Sequence, residues 1–479
     1  MNISNKIMLI TYPDSMGGNL ESLNHALNTS FKGAVGGVHI LPFFPSSGDR
    51  GFSPVTYDMV EPAFGDWSHI GTLSENYYLM CDMMVNHVSK RSREFLDYME
   101  RGDESPYKDL FLDYAKFWGE GKPDEHDIQI LYRRKDGEPY QDFIRKDGKK
   151  VRLWCTFTQE QIDLDIRTNA TKEYLKNSFH FLASKGINVI RLDALGYAVK
   201  KRETSCFMVE PDIWDFIKEV NSMAGDSVWL LPEIHDTWQT AKKLEKNQIW
   251  SYDFVLPFLM LHSLYSGDTE SLKGWLDVAP RTQFTVLDTH DGIGVYDAFD
   301  WVNEGEAEEL ITRLEDRLSY SYKPLNPEKK RFKKAYQLYT TYFSALHENE
   351  KAYLLARAVQ FFAPGIPQVY YVGMLAGEND YEELQKNDDH RSINRHNYSV
   401  SELEACAKKD VVKKLTALMR FRNTCEAFDG DLSVTIPAPG MLRMVRTGTK
   451  ERAELLCNFK TYEFSIQYTE QGILRQLTL

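Results

Sequence analysis

Three acidic residues stand out because of what surrounds them. Asp193 follows Arg191 in INVIRLDAL, Glu233 precedes His235 in LLPEIH, and Asp291 follows His290 in VLDTHDG. Each ends a short apolar run. A lone carboxylate at a strand end is more often a hydrogen-bond acceptor or a helix cap than a catalyst, but three with such neighbours point to acid–base chemistry. Retaining cleavage of a glycosidic bond needs two carboxyls about 5 Å apart, one to attack the anomeric carbon and one to protonate the leaving oxygen. A third can stabilise the oxocarbenium-like charge. Asp193 suits the nucleophile, because Arg191 on the same strand points to the same side and favours the ionised carboxylate. Glu233 suits the general acid/base, because it follows the apolar run VWLLP, where burial would raise its pKa toward a working range. Asp291 is left as the stabiliser of the transition state.

Such a site needs a scaffold that brings distant strand ends together. Eight short apolar runs recur, starting near Ile7, Gly36, Tyr77, Ile187, Val228, Tyr252, Gln283 and Ile366. Their length and near-continuous hydrophobicity suit strands buried on both faces. Helix-like segments lie between most of them. Asn169 to Lys185 repeats Tyr174, Leu175, Phe179 and Leu182 before Gly186, and the segment after Pro211 repeats Ile213, Trp214, Ile217 and Val220. The expected class is α/β, a (β/α)8 TIM barrel, whose catalytic groups project from the C-terminal strand ends. The barrel would comprise residues 1–85, 163–291 and 355–428, with an inserted domain at 86–162 after strand three. A smaller insertion with an acceptor-site loop would span 292–354, and a C-terminal β domain 429–479.

Composition narrows the function classes. The net charge of −13 repels nucleic acid and anionic membrane surfaces, so neither is expected as a partner. No run approaches the roughly eighteen apolar residues of a membrane helix. The start, MNISNKIMLITYPD, lacks a basic region followed by an apolar core and a cleavage site. A cytoplasmic location is therefore expected. Six scattered cysteines show no metal-site or redox spacing and read as reduced, so no metal or cofactor is expected.

At its acidic motifs the chain resembles the α-amylase superfamily: DMMVNH, INVIRLDAL, LLPEIH and VLDTHDG look like its four signature regions in order, and QIDLD like a fifth. FFPSSGDRGFSPVTYDMVEPAFGDW, PGIPQVYYVGMLAGEND and INRHNYS resemble the sucrose phosphorylase subfamily across nearly the whole chain. That resemblance implies a retaining phosphorylase moving glucose onto inorganic phosphate without a metal. It also implies that Asp49, Phe52, His87, Arg191, His290 and Arg395 hold the glucosyl unit. The subfamily usually has Leu-Asp before the Tyr-Gln of the acceptor loop, where this chain has Lys333, Lys334 and Ala335 before Tyr336 and Gln337, with Lys329, Lys330 and Arg331 upstream. Lysines near Tyr336 and Gln337, facing Arg133 or Arg134 of the inserted domain, favour an anionic acceptor. Arg134 alone does not discriminate, since the attacking phosphate needs a cation there in any case. The expected substrate is sucrose 6′-phosphate, with plain sucrose as the alternative, and the expected state is a monomer or homodimer. A catalytically silent sugar-binding relative is the reading from another class. It would have lost an acid or gained a membrane helix, and this sequence retains all three acids.

Overall fold

The computed structural model describes residues 3–119, 122–135, 137–318, 337–387 and 389–479. Its centre is eight parallel strands: β1 (Met8–Thr11), β2 (Gly37–Ile40), β3 (Tyr78–Met84), β4 (Ile187–Asp193), β5 (Trp229–Pro232), β6 (Ser251–Asp253), β7 (Gln283–Thr285) and β8 (Ile366–Tyr370). The hydrogen-bonded order β6-β7-β8-β1-β2-β3-β4-β5 follows the chain cyclically, as a (β/α)8 barrel requires. β3 shows why these segments read as continuous apolar runs: all of it but Tyr78 is buried, Asp82 included.

Several strands are shorter than their apolar runs. β6 stops at Asp253 and a helix takes over at Leu256. β7 stops at Thr285, and β8 gives way to a helical turn at Tyr371–Met374. The helix Leu256–Ser266 is buried along most of its length, so its residues are as apolar as a barrel strand's and hydrophobicity alone hides the boundary.

The helices that cover the barrel bury one stripe each. Asn169–Ser184 is capped by Thr168, whose side chain accepts from the Thr171 amide, and turns Thr171, Leu175, Phe179 and Leu182 inward. Asp212–Ala224 buries Ile213, Phe216, Ile217 and Val220, with Trp214 half-buried and packed against the same core.

Between β3 and β4 the chain makes an antiparallel hairpin, Tyr140–Ile144 with Lys150–Trp154, and a small aromatic core of Tyr114, Phe117, Trp118 and Trp154. After β7, Ile293–Gly294 pairs antiparallel with Gln337–Leu338 and returns the chain toward the barrel mouth. The C-terminal strands β9 (Asp431–Thr435), β10 (Met441–Thr447), β11 (Arg452–Asn458), β12 (Glu463–Glu470) and β13 (Ile473–Gln476) form an antiparallel sheet in chain order. β10 and β11 alternate buried and half-exposed positions, with Leu442, Met444, Leu455 and Cys457 facing inward. Arg446 of β10 donates through Nε to the Phe362 carbonyl at 2.9 Å, tying the sheet to the helix Glu350–Phe362. Among the described residues no helix is long and apolar enough to cross a membrane.

Candidate active site

Arg191 organises the site. Two residues from the end of β4 and 4% exposed, it presents its guanidinium toward three carboxylates. Nη1 lies 3.1 Å from Asp193 Oδ1 and also contacts Asp82, while Nη2 lies 2.8 Å from Glu233 Oε1. Alternation along β4 places Arg191 and Asp193 on one side, and the Glu233 amide donates to the Leu192 carbonyl at 3.1 Å, bringing the end of β5 against β4. Behind Arg191, His39 Nε2 and Asp82 Oδ2 sit 2.8 Å apart. Burial raises the Asp82 carboxyl, but Arg191 and His39 outweigh it and keep the group ionised.

Asp193 and Glu233 are two carboxyls in one buried site whose surroundings act on them in opposite directions. Burial, reinforced by the Glu233 carboxylate, holds the Asp193 carboxyl well above its ordinary value despite Arg191. Burial acts on Glu233 too, but Arg191 and His235 overcome it and bring Glu233 down to about 2. The expected elevation of Glu233 is therefore absent here, because Arg191 turns one amine to each carboxylate and His235 adds a second cation beside Glu233 alone. The backbone at this corner is unusual: Ala194, directly after Asp193, has φ 56°, and its amide lies 3.4 Å from Glu233 Oε2. A non-glycine residue held in the left-handed region at the end of a barrel strand is strain of the kind concentrated at functional sites.

Asp291 follows β7 and is surrounded by a histidine and two arginines. His290 Nε2 is 3.3 Å away, Arg391 Nη1 3.2 Å and Arg395 Nη2 3.4 Å. Burial would raise this carboxyl, but His290 and the two arginines hold it far below the usual range, so Asp291 stays ionised. Gly292 is required beside it: φ is +97°, and a Cβ would come within 2.3 Å of the Leu338 carbonyl oxygen. His290 is neutral, because burial brings it down to about 4 against the pull of Asp291, and its ring stacks on Phe52 with centroids 5.1 Å apart and planes 8° from parallel.

These groups line one cavity of about 150 Å³. Of the residues singled out from sequence, Asp49, Phe52, His87, Arg134, Asp193, Glu233, His290, Asp291 and Gln337 line it. His87 is buried, with Nε2 3.0 Å from the Phe52 carbonyl oxygen, which also accepts from Gln161 Nε2 at 3.0 Å. Arg191 and Arg395 stand one layer back. Arg395, 6% exposed, donates through Nε to the His290 carbonyl at 2.9 Å and braces Asp291 from behind. Lys334 and Tyr336, with Lys333, Lys329, Lys330 and Arg331, lie outside the described residues.

Sequence reasoning missed Arg391, which lines the cavity and joins Asp49 at 2.9 Å to Asp291 at 3.2 Å. Its signal was the first arginine in HRSINRH, four residues before Arg395. Asp49 and Arg50 both have φ 50°, and Arg50 locks this turn by donating to both oxygens of Asp14 at 2.9 and 3.0 Å. Another part of the cavity lining is aromatic and cationic. The Arg134 guanidinium carbon lies 5.8 Å from the centre of the Phe157 ring and 5.7 Å from that of Tyr197, with Phe207 and Tyr339 alongside. Among the described residues no cluster of His, Cys, Asp and Glu is arranged to hold a metal ion. A larger groove of about 1040 Å³, beside the helix Asp212–Ala224, contains none of the three acids.

The family description "Alpha amylase, catalytic domain" matches residues 18–279. The chain is 45% identical over 453 residues to a sucrose phosphorylase of Streptococcus mutans, covering 93% of each chain. It is 42% identical over 482 residues to a sucrose 6(F)-phosphate phosphorylase of Thermoanaerobacterium thermosaccharolyticum, covering 98% of each. The crystal structure of a sucrose 6F-phosphate phosphorylase from Thermoanaerobacter thermosaccharolyticum superposes with a TM-score of 0.94 at 41% identity, over 100% of this chain and 99% of that one.

Proposed function

This chain belongs to the alpha-amylase family as a glycoside phosphorylase, a hexosyltransferase, and on that premise we propose that it transfers the glucosyl unit of sucrose 6′-phosphate to inorganic phosphate. The products are α-glucose 1-phosphate and fructose 6-phosphate. Asp193 is the nucleophile, Glu233 the general acid/base and Asp291 the stabiliser of positive charge on the sugar ring. The observation that carries these roles is the single guanidinium of Arg191 between Asp193 and Glu233, at 3.1 and 2.8 Å, in a cavity shared with Asp291.

In the first step an Asp193 oxygen forms a bond to the anomeric carbon as the bond to the fructosyl oxygen breaks, and that oxygen takes the proton of Glu233. The step therefore uses one proton between the two carboxyls, with Asp193 ionised and Glu233 protonated when the donor is bound. In the second step a phosphate oxygen attacks the same carbon from the vacated side, the bond to Asp193 breaks, and Glu233 accepts any proton the phosphate carries. Two inversions give retention. Asp291 stays ionised throughout among His290, Arg391 and Arg395, where its charge is fixed before the transition state forms.

Asp49 and Arg391 close the sugar end, and Phe52 and His290 offer stacked faces to the ring. For the phosphorylated acceptor, the support is the run of Lys329, Lys330, Arg331, Lys333 and Lys334 in sequence just before Gln337, which lines the cavity, together with Arg134 across it. Unphosphorylated sucrose is the second reading, favoured by the 45% identity to the Streptococcus mutans enzyme. Incubation with phosphate and either sugar, following glucose 1-phosphate, separates the two. A higher kcat/KM for sucrose 6′-phosphate is expected, and a higher value for sucrose overturns the assignment.

A further inference from the structure

A buried acid that plays no part in the mechanism above lies directly behind the acceptor side of the pocket. Asp297, 7% exposed in the turn Tyr296–Ala298, places Oδ2 3.2 Å from Nδ1 of His235. The His235 ring lies flat on Phe254, centroids 3.9 Å apart and planes 17° from parallel, which fixes its direction. With Nδ1 committed to Asp297, Nε2 faces the cavity, 3.6 Å from Glu233 Oε1. His235 lines that cavity, whereas Asp297 lines a smaller hollow behind it. Acid, imidazole and catalytic carboxyl thus form one row leading from the protein interior to the reacting centre.

We propose that Asp297 is a positioning residue that keeps His235 as an imidazolium, so that incoming phosphate meets cations on two sides, His235 and Arg134, beside the Glu233 carboxylate. This rests on phosphate being the acceptor in the reaction proposed above. Once the leaving group departs, Glu233 is negative and so is phosphate, and two anions do not approach each other in a water-poor site without a cation between them. Water, the competing acceptor, carries no charge and gains less from His235. The Asp297–His235 pair would therefore favour phosphorolysis over hydrolysis rather than accelerate both.

The charged groups around His235 are consistent with this assignment. Glu233 and Asp297 flank it, Arg191 also engages Glu233, and Asp49, His87, Arg134, Asp193, His290, Asp291 and Arg391 are the other charged or imidazole groups lining the cavity. Asp253, near Asp297, is pushed up to about 6 by burial, against the amides of Leu256 and Val255 and the Trp275 indole, which favour its ionised form. Burial disfavours the imidazolium, but Asp297 and then Glu233 overcome it and raise His235 to about 9. The cation is present below that value and disappears as pH rises through it. Without the Asp297 carboxylate the loss moves to lower pH.

The test compares wild type with Asp297→Asn, close in shape but neutral, and Asp297→Glu, which restores the charge. The ratio of glucose 1-phosphate to free glucose released from one donor, and KM for phosphate, are measured from about pH 6 to about pH 9, while the His235 imidazole is titrated by NMR. In Asp297→Asn the His235 midpoint is expected to fall by about two units, and the product ratio at about pH 8 to fall about tenfold with the imidazolium fraction, each pKa unit being a tenfold change in the protonation equilibrium. Asp297→Glu should recover most of the ratio. An unchanged midpoint, or equal losses of both products at every pH, would overturn the assignment of Asp297 alone. A wild-type enzyme that made no glucose 1-phosphate would overturn the phosphate-acceptor reading, and this proposal with it.

Discussion

The two ends of the cavity are built on different principles. At the sugar end every charge is matched: Arg191 serves Asp82, Asp193 and Glu233, Arg391 joins Asp49 to Asp291, and Arg395 braces Asp291 from behind. Asp82, Arg191, Asp193 and Glu233 lie in or directly after β3, β4 and β5, Asp291 follows β7, and Asp49, Arg391 and Arg395 come from the segments after β2 and β8, all held together by these ion pairs. The acceptor end has aromatic faces and cations from connecting segments: Arg134 between Phe157 and Tyr197, then Phe207, and His235 with its hidden Asp297. A preorganised cage suits chemistry that is the same for every glucoside. A wall carried on loops can change its acceptor without disturbing that cage.

The largest effect should come from the cage. Asp193→Asn is expected to reduce both glucose 1-phosphate and free glucose formation by about 10⁴-fold or more, the scale seen when a covalent nucleophile is removed, without lowering Tm. Next, Arg391→Ala should cut kcat/KM by about 10² to 10³-fold for every glucosyl donor alike, as expected when one preorganised charge is lost near a transition state. A donor-dependent loss would move Arg391 to the acceptor end and blur the distinction. Arg134→Ala tests the other side. It should raise KM for phosphate about 10- to 100-fold, the worth of one charge-assisted hydrogen bond, while the rate of glucose release falls much less. Equal losses in both reactions would mean that Arg134 belongs to the cage.

The smallest expected catalytic effect lies farthest away. Leu455, fully buried in β11, joins the C-terminal sheet to the rest of the core. Leu455→Ala should destabilise the fold by about 2–5 kcal/mol in denaturant titration, as buried leucine truncations do, and leave kcat of the folded enzyme unchanged. A comparable loss of kcat would show that the sheet communicates with the cavity.

Much of this was legible in the sequence for a physical reason. Barrel strands buried on both faces must be apolar throughout, and the polar residue that ends each run is pushed toward the mouth, so Asp193, Glu233 and Asp291 could be found from composition and order alone. The ends of the runs were less legible: YDFVLPF and IPQVYYVG continue from strand into buried helix with no change in hydrophobicity. Contacts made across the barrel were not legible at all. Nothing local distinguishes Arg391 from Arg395, and only the fold brings Asp49, 342 residues away along the chain, to Arg391. Arg191 was read as a partner of Asp193, which it is, but its reach to Glu233 depends on how β4 and β5 sit side by side, and that contact works against the raised Glu233 pKa expected from burial.

The central claim is that Asp193 carries the glucosyl unit between the two half-reactions. Glu233→Gln removes the group that assists attack on the intermediate while leaving the nucleophile in place, so a donor with a good leaving group, such as α-glucosyl fluoride, should load the enzyme faster than it unloads. Peptide mass spectrometry of the quenched protein is expected to place a single glucosyl adduct on Asp193. An adduct on another carboxylate, or steady turnover with none on Asp193, would contradict the account.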